Sequence, residues 1–223
     1  MDSQNLQPAY SKKTYCYLAF LLLFLIGTVG VVAFRLWQVK EAGPISFTPQ
    51  QSSFVLKPPS DTLKGKLSLF KGDVKKKPRD KEEFKDVNVG EEFLQGEKIA
   101  TGKKSQATVE YANILRVNLD SNTEIGFINL IPANFLISQS LGSVSYELLR
   151  DDTPISVRSL HTLVTINSGK SEVTVSDETI AVKVLSGKAK LALVDLENKT
   201  HIWEIKEGQQ ALVNDTQRRI EIK

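Results

Sequence analysis

From residue 64 onward, apolar and polar positions alternate in short runs. The clearest stretch is 95–127. There Ala107, Val109 and Tyr111 alternate with Thr108 and Glu110, and Leu115, Val117 and Leu119 alternate with Arg116 and Asn118. A period of two sends one set of side chains into a core and the other into water, which marks half-buried β-strands. Ala112-Asn113 and Asp120-Ser121-Asn122 are turn formers placed where those runs end. The same style predicts a strand over 64–71, with Leu67 and Leu69 facing inward, and a Gly72-Asp73 turn into a short second strand. It predicts further strands near 135–141, 143–149, 155–158, 163–167, 172–175, 179–185, 188–194, 201–205, 210–213 and 219–222. Turns are expected at Asp151-Asp152, Ser168-Gly169, Ser186-Gly187, Asn198-Lys199 and Asn214-Asp215. Many short, mostly antiparallel strands at this spacing indicate an all-β sandwich, barrel or β-roll.

The first 62 residues read differently. An uncharged apolar run of 20 residues, Tyr15 to Phe34, matches the ~30 Å hydrocarbon core crossed by a helix of about 20 residues. Tyr15, Tyr17 and Trp37 suit the two interfacial aromatic belts. Lys12 and Lys13 before the run balance Arg35 and Lys40 after it, so charge alone does not orient it. With everything foldable on its C-terminal side, the expected arrangement is a cytoplasmic tail (1–13), a single-pass signal-anchor helix (14–37), a spacer (38–62) and an extracytoplasmic β domain (63–223). Pro44, Pro49, Pro58 and Pro59 keep the spacer extended. A cleaved signal peptide ending near Val31-Val32-Ala33 is the competing reading.

Composition narrows the function. Net charge is +3, with 29 basic and 26 acidic residues interspersed, which argues against nucleic acid as a partner. The single cysteine, Cys16, cannot make an internal disulfide. About 160 residues can bury ~70% of their unfolded surface, enough to fold without staples. The run Lys75–Asp86 is dense in both charges and reads as a solvated hairpin loop rather than a patch for acidic lipid or polymer.

The pattern Gly96, Ile99, Thr101, Gly102, Ser105, Ala107 resembles the FecR domain. Gly65 with Gly72-Asp73-Val74 is similar to that domain's opening hairpin, and 155–166 to its central strand pair. Val182 to Lys188, including Gly187, is similar to a later element, and Gly208-Gln209 to the closing turn. The resemblance covers about 63–213 and implies an extracytoplasmic all-β domain on one membrane helix. In iron-uptake regulators of that family such a domain senses a receptor, while a cytoplasmic domain controls a sigma factor. With 13 residues before the span and little after Gly208-Gln209, neither a sigma-factor-gripping domain nor a receptor-docking subdomain is expected in this sequence. The motif glycines read as backbone requirements, not as a binding surface.

No catalytic or metal constellation emerges. His161 and His201 stand 40 residues apart, each on or beside a predicted strand, and read as surface residues rather than ligands. Asp151-Asp152 is a turn, and no serine sits in a Gly-x-Ser-x-Gly elbow. Ser168-Gly169-Lys170-Ser171 lacks the upstream glycine of a phosphate loop, since Val164 stands there. Tyr111, Tyr146 and Trp203 read as core or cross-strand packing rather than a sugar-binding face. The expectation is therefore a non-enzymatic, cofactor-free envelope protein of the cell membrane that binds a protein or cell-wall partner. A regulatory sensor acting through a partner helix is the alternative, and an envelope-polymer enzyme ranks last.

Overall fold

Alternation becomes strand over most of the described chain, residues 62–223 of a computed structural model. The expected tail, membrane helix and nearly all of the spacer lie outside the described residues, among which no helix is long and apolar enough to cross a membrane. The first strands are short: β1 (Gly65–Lys71), β2 (Val74–Lys77), β3 (Lys85–Asp86), β4 (Glu92–Phe93), β5 (Lys98–Thr101), β6 (Gln106–Tyr111), β7 (Leu115–Leu119) and β8 (Glu124–Ile131). Then come β9 (Asn134–Leu148), β10 (Ile155–Ser159), β11 (Thr162–Val175), β12 (Thr179–Val194), β13 (Thr200–Lys206), β14 (Gln210–Asn214) and β15 (Arg219–Ile222).

Strands β9, β11 and β12 each run through two layers, one half in each. The first layer is ordered β3-β2-β5-β8-β9-β10-β11-β12-β13 and uses the N-terminal halves of β9 and β11 with the C-terminal half of β12. The second, β4-β1-β6-β7-β9-β11-β12-β14-β15, takes the opposite halves. Pairing is antiparallel throughout except between β9 and β10, which run parallel from Phe135↔Ile155 to Ser138↔Arg158. The all-β expectation holds for the described residues.

The passage between layers corrects the predicted turns. Ser168-Gly169 and Ser186-Gly187 are not turns; they face one another inside the continuous ladder of β11 and β12, with Gly169 paired to Gly187. Asn167 on β11 and Leu185 on β12 are each left without an opposite residue. A single extra residue reverses which face a strand presents. The buried positions accordingly switch from Val164 and Ile166 to Val173 and Val175 on β11, and from Val182 and Val184 to Ala189 and Leu191 on β12. Both glycines have positive φ, 73° and 78°, and a methyl on either would strike the carbonyl of Ser186 or Ser168. Gly142, φ 88°, bends β9 in the same way, joining the two strands expected near 135–141 and 143–149.

A second correction lies in β1. Its register slips at Ser68, so Leu69 turns outward and is 67% exposed, while Phe70 packs against the core. Between the layers, Tyr111 meets Phe135 edge-on at 5.1 Å and Phe127 at 5.8 Å, and Phe127 meets Phe93 at 5.5 Å. Burying one side chain of that size contributes about 1.5–3 kcal/mol. Tyr146 joins this core and donates its hydroxyl to Gln139 Oε1 at 3.0 Å, while Gln139 Nε2 donates to the carbonyls of Gly142 and Val173. The buried amide thus ties the bend of β9 to β11.

Candidate functional site

The motif residues Gly96, Ile99, Thr101, Gly102, Ser105 and Ala107 build a clamp of turns. Thr101 Oγ1 donates to the carbonyl of Asp120 and accepts from the amide of Thr123 at 3.0 Å. Ser105 Oγ accepts from the amide of Asp73 at 2.8 Å, which fixes the β1–β2 turn against the β5–β6 turn. Gly102 donates to the Asp73 carbonyl at 2.8 Å. Its φ is not left-handed; it is needed for space, because a methyl there would lie 3.1 Å from Asp73 Oδ2. Gly96 does have positive φ, 89°, and donates to the Phe127 carbonyl. Ile99 and Ala107 are buried core residues.

Gly187, Gly208 and Gln209 lie elsewhere. Gly187 belongs to the β11–β12 bulge. Gly208, φ 81°, opens the β13–β14 turn, where Gln209 Oε1 accepts from the Lys206 amide at 2.8 Å and the Gln209 amide donates to the Lys206 carbonyl at 3.0 Å. Thus the nine motif residues fall in two places: the clamp around residues 96–107, and the meeting of the β11–β12 bulge with the β13–β14 turn, where the Gly208 amide donates to the Val184 carbonyl at 3.0 Å and the Gly187 amide to Glu207 Oε2 at 3.3 Å.

The charged run after β1 hides a residue that sequence reasoning missed. Lys76 is 7% exposed, with Nζ 2.8 Å from Glu97 Oε2, 2.6 Å from the Glu92 carbonyl and 5.2 Å from the centre of the Phe93 ring. The solvated loop expected over 75–86 is therefore corrected at this position. Period-two alternation from the buried Val74 places Lys76, not Lys75 or Lys77, on the inward face, a signal the charge of the run obscured. Close by, the Tyr111 hydroxyl is buried without a partner among the described residues, and burial holds its pKa well above the usual tyrosine range.

Both histidines contact aspartates. His161 Nδ1 lies 2.9 Å from Asp215 Oδ2, and its amide donates to Asp215 Oδ1 at 3.2 Å, joining a first-layer turn to a second-layer turn. His201 Nε2 lies 2.7 Å from Asp195 Oδ2, and its ring stands 5.8 Å from that of Trp203. The hydrogen bond from His201, followed by the Lys199 amide, holds the Asp195 carboxyl below the ordinary aspartate range. Asp152 is likewise held down by its hydrogen bond from Arg150. No group of three or more His, Cys, Asp or Glu side chains that could hold a metal occurs among the described residues.

The open feature of the domain is an edge. β13 pairs only with β12, in unbroken register from Lys188↔Lys206 to Val194↔Thr200. At one end Asp195 donates to the Lys199 carbonyl, and at the other both backbone groups of Lys206 are taken by Gln209. Antiparallel alternation therefore turns the amides and carbonyls of Thr200, Ile202 and Glu204 away from β12. The other edge strands are shorter: two residues in β3 and β4, four in β15. Ile202 is 66% exposed and continues a cross-strand row through Ala192 to Leu163, with Leu160 and Leu196 exposed on the flanking turns.

No protein-family profile matches the chain, and no curated protein matches it. Among solved structures it is similar to two crystal structures of a candidate anti-sigma factor from Parabacteroides distasonis, at 1.65 and 2.50 Å resolution. Identities are 21% and 22%, each with a TM-score of 0.49 over 56% of this chain and 58% of that chain. The chain thus spans less than two thirds of those proteins' length.

Proposed function

We propose that this chain is a non-enzymatic, membrane-anchored envelope protein whose all-β domain captures a protein partner by strand addition along β13. The observation that carries this reading is the open ladder of Thr200, Ile202 and Glu204 beside the apolar row Leu163–Ala192–Ile202. A partner strand added there would receive main-chain hydrogen bonds for affinity and side-chain contacts for specificity. Left uncovered, so long and unbulged an edge invites unspecific pairing, which gives it a cost that a partner relieves.

The reading is tested with a photo-crosslinking residue placed at Ile202 in the full chain in cells, with the same residue at Arg116, on the outer face of the second layer, as the control. The expected result is one protein captured from position 202 only and lost when Glu204 is replaced by proline, which cannot join the added ladder. A captured protein with its own span and cytoplasmic domain would make the chain the sensing half of a signalling pair. Equal capture from both positions, or capture that survives Glu204→Pro, would overturn strand addition.

A further inference from the structure

On the outer face of the second layer, far from β13 in strand order, β1, β6 and β7 enclose a groove of about 420 Å³. Its existence follows from the slip at Ser68, which turns Leu69 outward to form an apolar wall. Phe70, Ala107 and Leu119 also line it, and its polar groups come from the paired residues of β6 and β7. Thr108 Oγ1 donates to Asn118 Oδ1 at 3.0 Å, and Gln106 Nε2 donates to Asp120 Oδ1 at 3.1 Å. These pairings leave the Asn118 amide hydrogens, the Gln106 carbonyl oxygen and the second Asp120 oxygen facing outward, a mixture of donors and acceptors. Such a mixture suits hydroxyl groups, which donate and accept at once.

Charge at the mouth supplies a second observation. Lys71 lines the groove and pairs with Gln106 across β1 and β6. Lys103 and Lys104 lie on the β5–β6 turn, which Ser105 fastens to the turn after Lys71. All three lysines are exposed, and none makes an ion pair among the described residues. Two rows further along the same face, Arg116 lies between Glu110 at 2.9 Å and Glu147 at 3.0 Å, so its charge is neutralised in place. Three lysines without an ion pair are thus gathered at the end of the groove where the Asp120 carboxylate also lies.

We propose that this groove binds an acidic carbohydrate. Its hydroxyls would exchange hydrogen bonds with Gln106, Thr108, Asn118 and Asp120, its ring would rest on Leu69, and its carboxylate would face Lys71 and Lys104. The volume lies within the ~300–1,000 Å³ range of small-molecule sites. The site goes beyond strand addition at β13 and does not depend on it.

The test uses the full chain in neutral-lipid nanodiscs, titrated with tetragalacturonate, with neutral maltotetraose and with phosphatidylglycerol vesicles. Tetragalacturonate is expected to bind and maltotetraose to bind at least tenfold more weakly. Lys71→Gln and Asn118→Leu should each weaken the acidic ligand about tenfold without lowering the melting temperature, since both side chains leave the core intact. Glu204→Pro should leave this binding unchanged, which separates the groove from the β13 edge. Absence of tetragalacturonate binding would overturn the proposal. So would binding to vesicles and tetragalacturonate alike that responds to Lys71→Gln but not to Asn118→Leu, because lysine charge alone would then explain it.

Discussion

The short-strand region 65–131 and the long-strand region 134–194 solve one problem in different ways. Each must carry the chain between two layers while keeping apolar residues inside. The first region changes layer at turns and fastens those turns with side chains: Thr101 to Asp120 and Thr123, Ser105 to Asp73, Lys76 to Glu97. The second changes layer inside continuous strands, using opposed glycines that let one extra residue flip the inward face. The difference shows where each region is vulnerable: the first through the loss of a polar partner, the second through the addition of a single carbon.

The largest expected effect comes from Gly169→Val. A branched side chain at φ 73° against the Ser186 carbonyl should cost more than about 4 kcal/mol, read as loss of the cooperative transition in urea. Next is Lys76→Met, which strands Glu97 in the interior and should cost about 3 kcal/mol. Combining it with Glu97→Leu should recover most of that loss; a double variant as unstable as the single one would mean that the pair is not what holds this corner. Thr101→Val keeps the shape but leaves the Thr123 amide unpaired, for about 1–3 kcal/mol. Gly208→Ala sharpens the contrast with Gly169. It too has positive φ, 81°, but nothing lies within 4 Å of an added methyl, so only backbone strain of about 1 kcal/mol is expected.

The smallest effect concerns pH. Asp195 is held below the ordinary carboxylate range first by the hydrogen bond from His201 and then by the Lys199 amide. A depressed folded-state pKa contributes stability that is present above the unfolded value, near ~4, and is lost as pH falls through the folded value. Asp195→Asn should therefore flatten the acid limb of the stability profile below about pH 4 relative to the parent protein. An unchanged limb would show that the His201–Asp195 contact does not persist in solution.

The strands themselves were legible because alternation reports burial directly: Ala107, Val109, Tyr111, Leu115, Val117 and Leu119 are all buried. The bends were not, because glycine beside serine carries the same local signature in a turn and in a bulge. A longer-range signal existed. Gly169 and Gly187 stand nine residues on either side of Glu178, so a hairpin turning near there brings them to within one residue of each other, and the extra Leu185 sets them opposite. Inward parity also changes between Ile166 and Val173, which a turn need not require. The inward face of Lys76 follows from alternation with Val74, but its partner Glu97 was illegible, because it arrives only through the pairing of β2 with β5. Neither the β13 edge nor the groove is visible in a linear pattern, since which strand ends a sheet, and where a slip opens a wall, are properties of topology.

Strand addition at β13 is the central claim, and amide hydrogen exchange of the full chain with and without its captured partner tests it most directly. The account predicts new protection at the alternating amides of Thr200, Ile202 and Glu204, with His201, Trp203 and Ile205 already protected in the free protein. Protection appearing elsewhere while those three amides exchange as before would contradict it.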